Sequence, residues 1–119
     1  MTKLIHETFQ ALGIPKTFRG YMQAVYAVEL ILEDEDRLRH ITKEVYWKVA
    51  DACNCKHCDI ERNIRTIISA RVWREEVRCQ FLEMAGYPLR THPSVSEFLA
   101  IIAAHVQRVY AQSHPDGFS

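Results

Sequence analysis

Residues 42–73 read TKEVYWKVADACNCKHCDIERNIRTIISARVW, and this stretch decides the fold. Val45, Tyr46, Val49 and Ala50 recur at helical spacing and stop near Cys53. Thr42 is placed to cap the start of that helix, since its hydroxyl can accept from a free N–H of the first turn. Asn54, Cys55, Lys56 and His57 form a brief break. A second helix is expected from Cys58 to about Arg74. At about 100° per residue, Ile60, Ile64, Ile67, Ile68 and Val72 fall on one side of it. Arg62, Thr66 and Ser69 fall opposite, with Cys58, Asp59 and Arg65 at the flanks. Two helices joined by so short a break predict a helix-turn-helix. In that motif the apolar face of the second helix packs on the domain, and the other face enters the major groove of DNA. An ordinary amphipathic surface helix has the same pattern, so composition alone leaves both readings open.

Outward from this centre, the rest of the chain is also helical. Leu4, Ile5, Phe9 and Leu12 define a first helix that stops before Gly13. After an Ile14-Pro15-Lys16 connector, a second helix is expected from Thr17 to about Glu33. It is apolar on most sides and should lie at the centre of the core. A short acidic turn follows. Beyond the helix-turn-helix, Val77 to Ala85 should form a helix closed by Gly86. Ser94-Val95-Ser96-Glu97 has the pattern of a capping box, opening a last helix to about Gln112. No period-two alternation argues for a strand. The expected fold is therefore all-α: about six helices in a compact bundle with a central helix-turn-helix. Residues 1–112 should form a single effector-type domain and residues 113–119 a flexible tail.

A chain of 119 residues with 48% hydrophobic and 25% charged residues can bury a core without metal or disulfide. No apolar run approaches the ~20 residues that span a bilayer, and the N-terminus lacks the features of a secretion signal. These readings point to a cytoplasmic protein with no membrane partner. Fifteen basic and fifteen acidic residues give zero formal net charge, but the charge is segregated. Glu33 to Asp36 is an acidic block. Residues 37–74 hold nine Lys or Arg against four Asp or Glu, which is +5. Such asymmetry suits one phosphate-facing side, and the acidic block also reads as a solvated helix end.

Cys53, Cys55, His57 and Cys58 lie within six residues. Three thiolates and an imidazole could hold zinc, but Cys-x-Cys is tighter than the usual ligand spacing. Reduced packing or surface thiols are the favoured reading, with zinc and redox sensing as the alternatives. Trp47, Trp73, Tyr26 and Phe98 read as core or interface aromatics. The scattered histidines form no nucleophile-base set, so no catalytic residue and no cofactor is expected, and the protein is not read as an enzyme.

Three segments carry a resemblance. They are Leu12-Gly13-Ile14-Pro15 with Arg19-Gly20-Tyr21; Ile41-Thr42-Lys43, Tyr46 and Ala50 leading through Asn54 to Ile60-Glu61-Arg62-Asn63-Ile64-Arg65; and Gly86-Tyr87, Pro93 and Ser96-Glu97-Phe98. In these words the chain resembles the C-terminal effector domain of the master response regulator of endospore formation in Bacillus and Clostridium relatives. The resemblance implies a helical bundle that binds double-stranded DNA carrying a TGTCGAA-type box and regulates transcription. It also implies pairing of two copies on tandem boxes and contact with the RNA polymerase sigma subunit. The latter involves the region corresponding to residues 74–87, which is poorly matched here. The family's recognition helix carries an Arg-x-Glu-Arg word and a further arginine. Glu61, Arg62 and Arg65 match the last three, and Asp59 stands where the first arginine would be. Met1 lies only a few residues before the first helix, so the chain reads as a stand-alone or excised effector domain lacking the receiver.

On this basis Glu61, Arg62, Arg65, Lys43, Asp59 and Lys56 are the expected DNA-binding residues, with Glu61 and Arg62 reading base edges and Arg65 and Lys43 mainly holding phosphates. The alternative is a diverged, effector-like protein-interaction module with weak or no specific DNA binding, for which the neutral charge and Asp59 speak.

Overall fold

The computed structural model describes residues 1–89 and 91–113; helices joined by short turns and connectors make up its regular structure, with no strand among the described residues. Six α-helices follow in order: α1 (Thr2–Ala11), α2 (Tyr21–Glu33), α3 (Trp47–Cys53), α4 (His57–Ile67), α5 (Glu75–Ala85) and α6 (Val95–Ser113). A 3-10 helix (Glu35–His40) and a π-helical turn (Thr42–Tyr46) lead into α3, and a second π-helical turn (Ile68–Val72) continues α4.

The apolar α2 lies at the centre, as its sequence requires. Tyr21, Ala24, Val25, Ala27, Val28, Leu30 and Ile31 are all buried. It packs chiefly against α6, which contributes Phe98, Leu99, Ile102 and Val106 to the same core. Phe98 stacks with Phe9 of α1 at 6.3 Å and with Phe81 of α5 at 5.8 Å between ring centroids. Arg108 of α6 donates to the Met84 carbonyl at 2.6 Å, satisfying an acceptor near the C-terminus of α5. Gly86 then closes α5 at φ +76°, a conformation that a side chain would strain.

Several boundaries differ from the sequence expectation, each for a local reason. The second helix begins at Tyr21 rather than Thr17. Two successive turns intervene, from the Phe18 N–H to the Pro15 carbonyl (3.3 Å) and from the Tyr21 N–H to the Phe18 carbonyl (3.0 Å). Thr42 is not an N-cap. Ile41 is already right-handed helical, and Thr42 lies inside a continuous helical path that starts after Asp34. Asp34 is the cap: it is extended (φ −156°, ψ 106°), and its Oδ1 accepts from the Asp36 N–H at 3.0 Å. The acidic turn is thus the first turn of a helix, where Glu35 and Asp36 complement the dipole.

The helix expected over residues 58–74 begins at His57 and, with its π turn, ends at Val72; Arg74 is extended and precedes α5. The fifth helix starts at Glu75, two residues earlier than expected. Half of the capping box forms: the Glu97 N–H donates to Ser94 Oγ at 3.1 Å. The Glu97 carboxylate instead accepts from the Tyr87 hydroxyl at 3.5 Å. Ser113 ends α6, and the remainder of the expected tail, residues 114–119, lies outside the described residues.

Candidate nucleic-acid interface

The centre of the chain folds as a helix-turn-helix. α3 ends with Asn54 in the left-handed region (φ 57°, ψ 49°), the one non-glycine residue with positive φ among the described residues. Asparagine tolerates this conformation better than most residues. The Cys55 N–H returns to the Ala50 carbonyl at 3.0 Å and closes α3. Lys56 is extended (φ −89°, ψ 148°) and α4 starts at the next residue. The turn therefore reverses the chain within Asn54, Cys55 and Lys56.

Ile60, Ile64, Ile67, Ile68 and Val72 are buried to 1% exposure or less, so the helical line seats one face of α4 firmly. Two contacts with α2 fix its position. Gly20 lies against α4 so closely that a Cβ there would sit 2.9 Å from the Asn63 carbonyl carbon and oxygen. Gln23, buried on α2, accepts from Asn63 Nδ2 at 3.0 Å, while its Nε2 lies 4.0 Å from the Cys55 sulfur. One buried amide thus ties both the turn and α4 to the core.

The outward face carries the candidate readers. The side chains of Arg62 and Arg65 are 68% and 58% exposed. Each is engaged by a carboxylate of its own helix: Arg62 with Asp59 three residues before it, and Arg65 with Glu61 four residues before it. All four charged residues are therefore brought together on one face, and they cancel in pairs. Thr42 and Tyr46 of the π turn border the same face, in a groove of about 410 Å³ shared with Cys58, Glu61, Arg62 and Arg65. Arg65 also lies against Tyr46, whose phenol is pushed up to about 12 by burial, with the arginine's positive charge acting in the opposite direction. Lys56 is exposed at the turn, directly before α4, and Lys43 is exposed on the π turn.

Sequence reasoning missed further members of this surface. His92, in the connector before α6, reaches α4: its Nε2 lies 3.0 Å from Ser69 Oγ. Its Nδ1 lies 3.0 Å from the Pro93 carbonyl. Trp47, expected among core or interface aromatics, is 58% exposed and stands beside the His57 ring at 5.3 Å. Its polar neighbours at helical spacing, Lys43, Glu44 and Asp51, were the available signal. Among the described residues no group of three or more His, Cys, Asp or Glu side chains is arranged to hold a metal ion, the cluster at Cys53, Cys55, His57 and Cys58 included. All four cysteines are free and exposed.

The comparison with protein families gives one match covering most of the chain. Residues 5–106 match the family described as sporulation initiation factor Spo0A C terminal. The chain belongs to this family. The match spans all of the helix-turn-helix and most of the bundle. Spo0A C-terminal domains are DNA-binding effector domains of a transcription regulator, not a family of enzymes. No described helix is long and apolar enough to cross a membrane.

Proposed function

We propose that this protein is a sequence-specific, DNA-binding transcriptional regulator that inserts α4 into the major groove. The observation that carries the reading is the outward pair Arg62 and Arg65, on a helix whose opposite face is fully buried behind a three-residue turn. Arg62 and Glu61 meet base edges, the guanidinium donating to guanine O6 and N7 and the carboxylate accepting from cytosine N4. Arg65, Lys43 and Lys56 hold phosphates. Asp59 restrains Arg62 and takes the place of a guanine-reading arginine, so the preferred site differs from the TGTCGAA-type box at the position that arginine would read. Two copies bind tandem sites as a weak homodimer, and the RNA polymerase sigma subunit is a further partner.

A gel shift over a range of salt concentrations tests this, comparing a duplex with the sporulation-type box, variants of that box and scrambled DNA. Preferential binding to a box variant, falling steeply with salt and abolished by Arg62→Ala, is expected. Equal binding to all duplexes at low salt refutes sequence-specific reading. A second reading, a protein-interaction module, is favoured by one observation: both outward arginines are already paired with carboxylates. It predicts partner capture that Arg62→Ala leaves intact.

A further inference from the structure

Cys55 and Cys58 are both exposed and line one open groove of about 560 Å³, together with Trp47, Lys48, Asp51, Lys56 and His57. They are separated by two residues, and the segment between them is the hinge of the motif. Lys56 is extended, and the Asp59 N–H donates to the Lys56 carbonyl at 3.0 Å to close the first turn of α4. Cys58 sits in that first turn. Cys55 follows the left-handed Asn54 and lies beside Gln23, which in turn accepts from Asn63 in the middle of α4. Cys53 belongs to the last turn of α3 and does not line the groove. Cys-x-x-Cys pairs at the start of a helix are the usual arrangement of a redox-active dithiol, and cytosolic disulfides, where they occur, are chiefly catalytic or sensing.

We propose that Cys55 and Cys58 form a redox-active dithiol that a low-molecular-weight disulfide oxidises to an intramolecular disulfide, and that the oxidised form binds DNA more weakly. The second half rests on the DNA-binding function proposed above; the first half does not.

The exchange balances as follows. The Cys58 thiolate attacks one sulfur of the incoming disulfide, forming a mixed disulfide and expelling a thiolate. Cys55 then loses its proton and attacks the Cys58 sulfur, expelling the second thiolate. Two protein thiols are oxidised, one external disulfide is reduced to two thiols, and the two protons pass to the leaving thiolates. The same balance holds if Cys55 attacks first. Closing the bond draws Cys55 towards the first turn of α4 and away from Gln23. The turn and the recognition helix then lose the common anchor that sets their angle, which is the geometry a helix-turn-helix needs to enter the groove.

The test uses the full chain, equilibrated over a series of reduced-to-oxidised glutathione ratios. Free thiols are counted, and peptides are mapped without reduction. Trypsin cuts after Lys56 and so separates Cys55 from Cys58; a disulfide between them appears as two cross-linked peptides. Loss of two of the four thiols in a monomer is expected. The cross-link should persist in Cys53→Ser and vanish in Cys55→Ser and Cys58→Ser. Four free thiols in excess oxidised glutathione, persistent mixed disulfides, pairing through Cys53 or disulfide-linked dimers would each overturn the dithiol.

DNA binding is then measured on the oxidised and reduced forms. The oxidised form should bind about tenfold more weakly, with recovery on reduction and no redox response in Cys55→Ser. A disulfide that leaves affinity unchanged overturns the coupling. If neither form prefers any duplex, the DNA reading fails while the thiol result stands by itself.

Discussion

Replacing Asp59 by asparagine should tighten DNA binding while loosening the fold, two effects of opposite sign from one residue. Asp59 is about two-thirds withdrawn from solvent, while its partner Arg62 is largely exposed. An exposed ion pair of this kind contributes about 0.2–1 kcal/mol to stability. A carboxylate in the first turn of α4 adds about 0.3–1 kcal/mol through the helix dipole. Asp59→Asn should therefore cost about 0.5–2 kcal/mol of folding free energy. On DNA the balance reverses. A phosphate about 7 Å from the carboxylate repels it by about 0.6 kcal/mol even at the dielectric constant of water. Two such phosphates, together with the pair that no longer has to be broken, make about 1–2 kcal/mol. That is about 5–30-fold in affinity. Fluorescence anisotropy with a labelled duplex measures the affinity, and thermal melting measures the stability. A folded Asp59→Asn protein with unchanged or weaker affinity would refute the idea that Asp59 restrains Arg62.

Gly20→Ala should destabilise by about 1–3 kcal/mol in a denaturant titration, because the new methyl meets the Asn63 backbone at 2.9 Å and neither helix can yield cheaply. Asn63→Ala removes the donor to the buried Gln23 carbonyl and should cost about 1–3 kcal/mol in the same assay. Tyr46 is neutral in the fold up to about pH 12, whereas an unfolded tyrosine ionises near pH 10. Its contribution is complete below pH 10 and is lost as pH rises towards 12, reaching about 2–3 kcal/mol; Tyr46→Phe should flatten that part of an alkaline melting series. At the other end, burial and the neighbouring Arg108 hold the His105 pKa below its ordinary value. An unfolded histidine takes up its proton first, so stability should fall as pH drops below about 6.5, and His105→Gln should reduce that fall in an acid melting series.

The sequence pattern was most informative where a single period ran long. The apolar α2 and the isoleucine line of α4 led directly to the centre of the core and to the seated face of α4. It misled between residues 34 and 53. There 3-10, π and α turns follow one another, and no single period holds across them. Thr42 has the right chemistry for a cap, yet Asp34 had already taken that role. Gly20 offered no local clue to its purpose, because the backbone it must approach lies on another helix. Gln23 looks like a polar interruption of an apolar helix until its two partners on the turn and on α4 are seen.

The charged face of α4 was legible in composition but not in state. Asp59 to Arg62 and Glu61 to Arg65 are the separations at which helical side chains meet, and both pairs form. The +5 excess of residues 37–74 therefore does not sit on the reading helix. Asp59, Glu61, Arg62 and Arg65 sum to zero; Lys43 on the π turn, Lys48 on α3 and Lys56 at the turn lie beside them, with Glu44 and Asp51 on the same elements, and the rest of the excess is Arg37, Arg39, Arg71 and Arg74. This division separates two contributions to binding. Under the proposed function, the lysines would attract any duplex through its phosphates without consulting its sequence. The arginines would become available only when a base edge or phosphate competes successfully with the carboxylate that already holds them. Each internal pair is worth no more than about 1 kcal/mol, and a good bidentate contact with a base gives about 1–3 kcal/mol of discrimination. On that reading a correct site would release Arg62 where an incorrect one would not, and the aspartate that weakens overall affinity would sharpen the choice between sites.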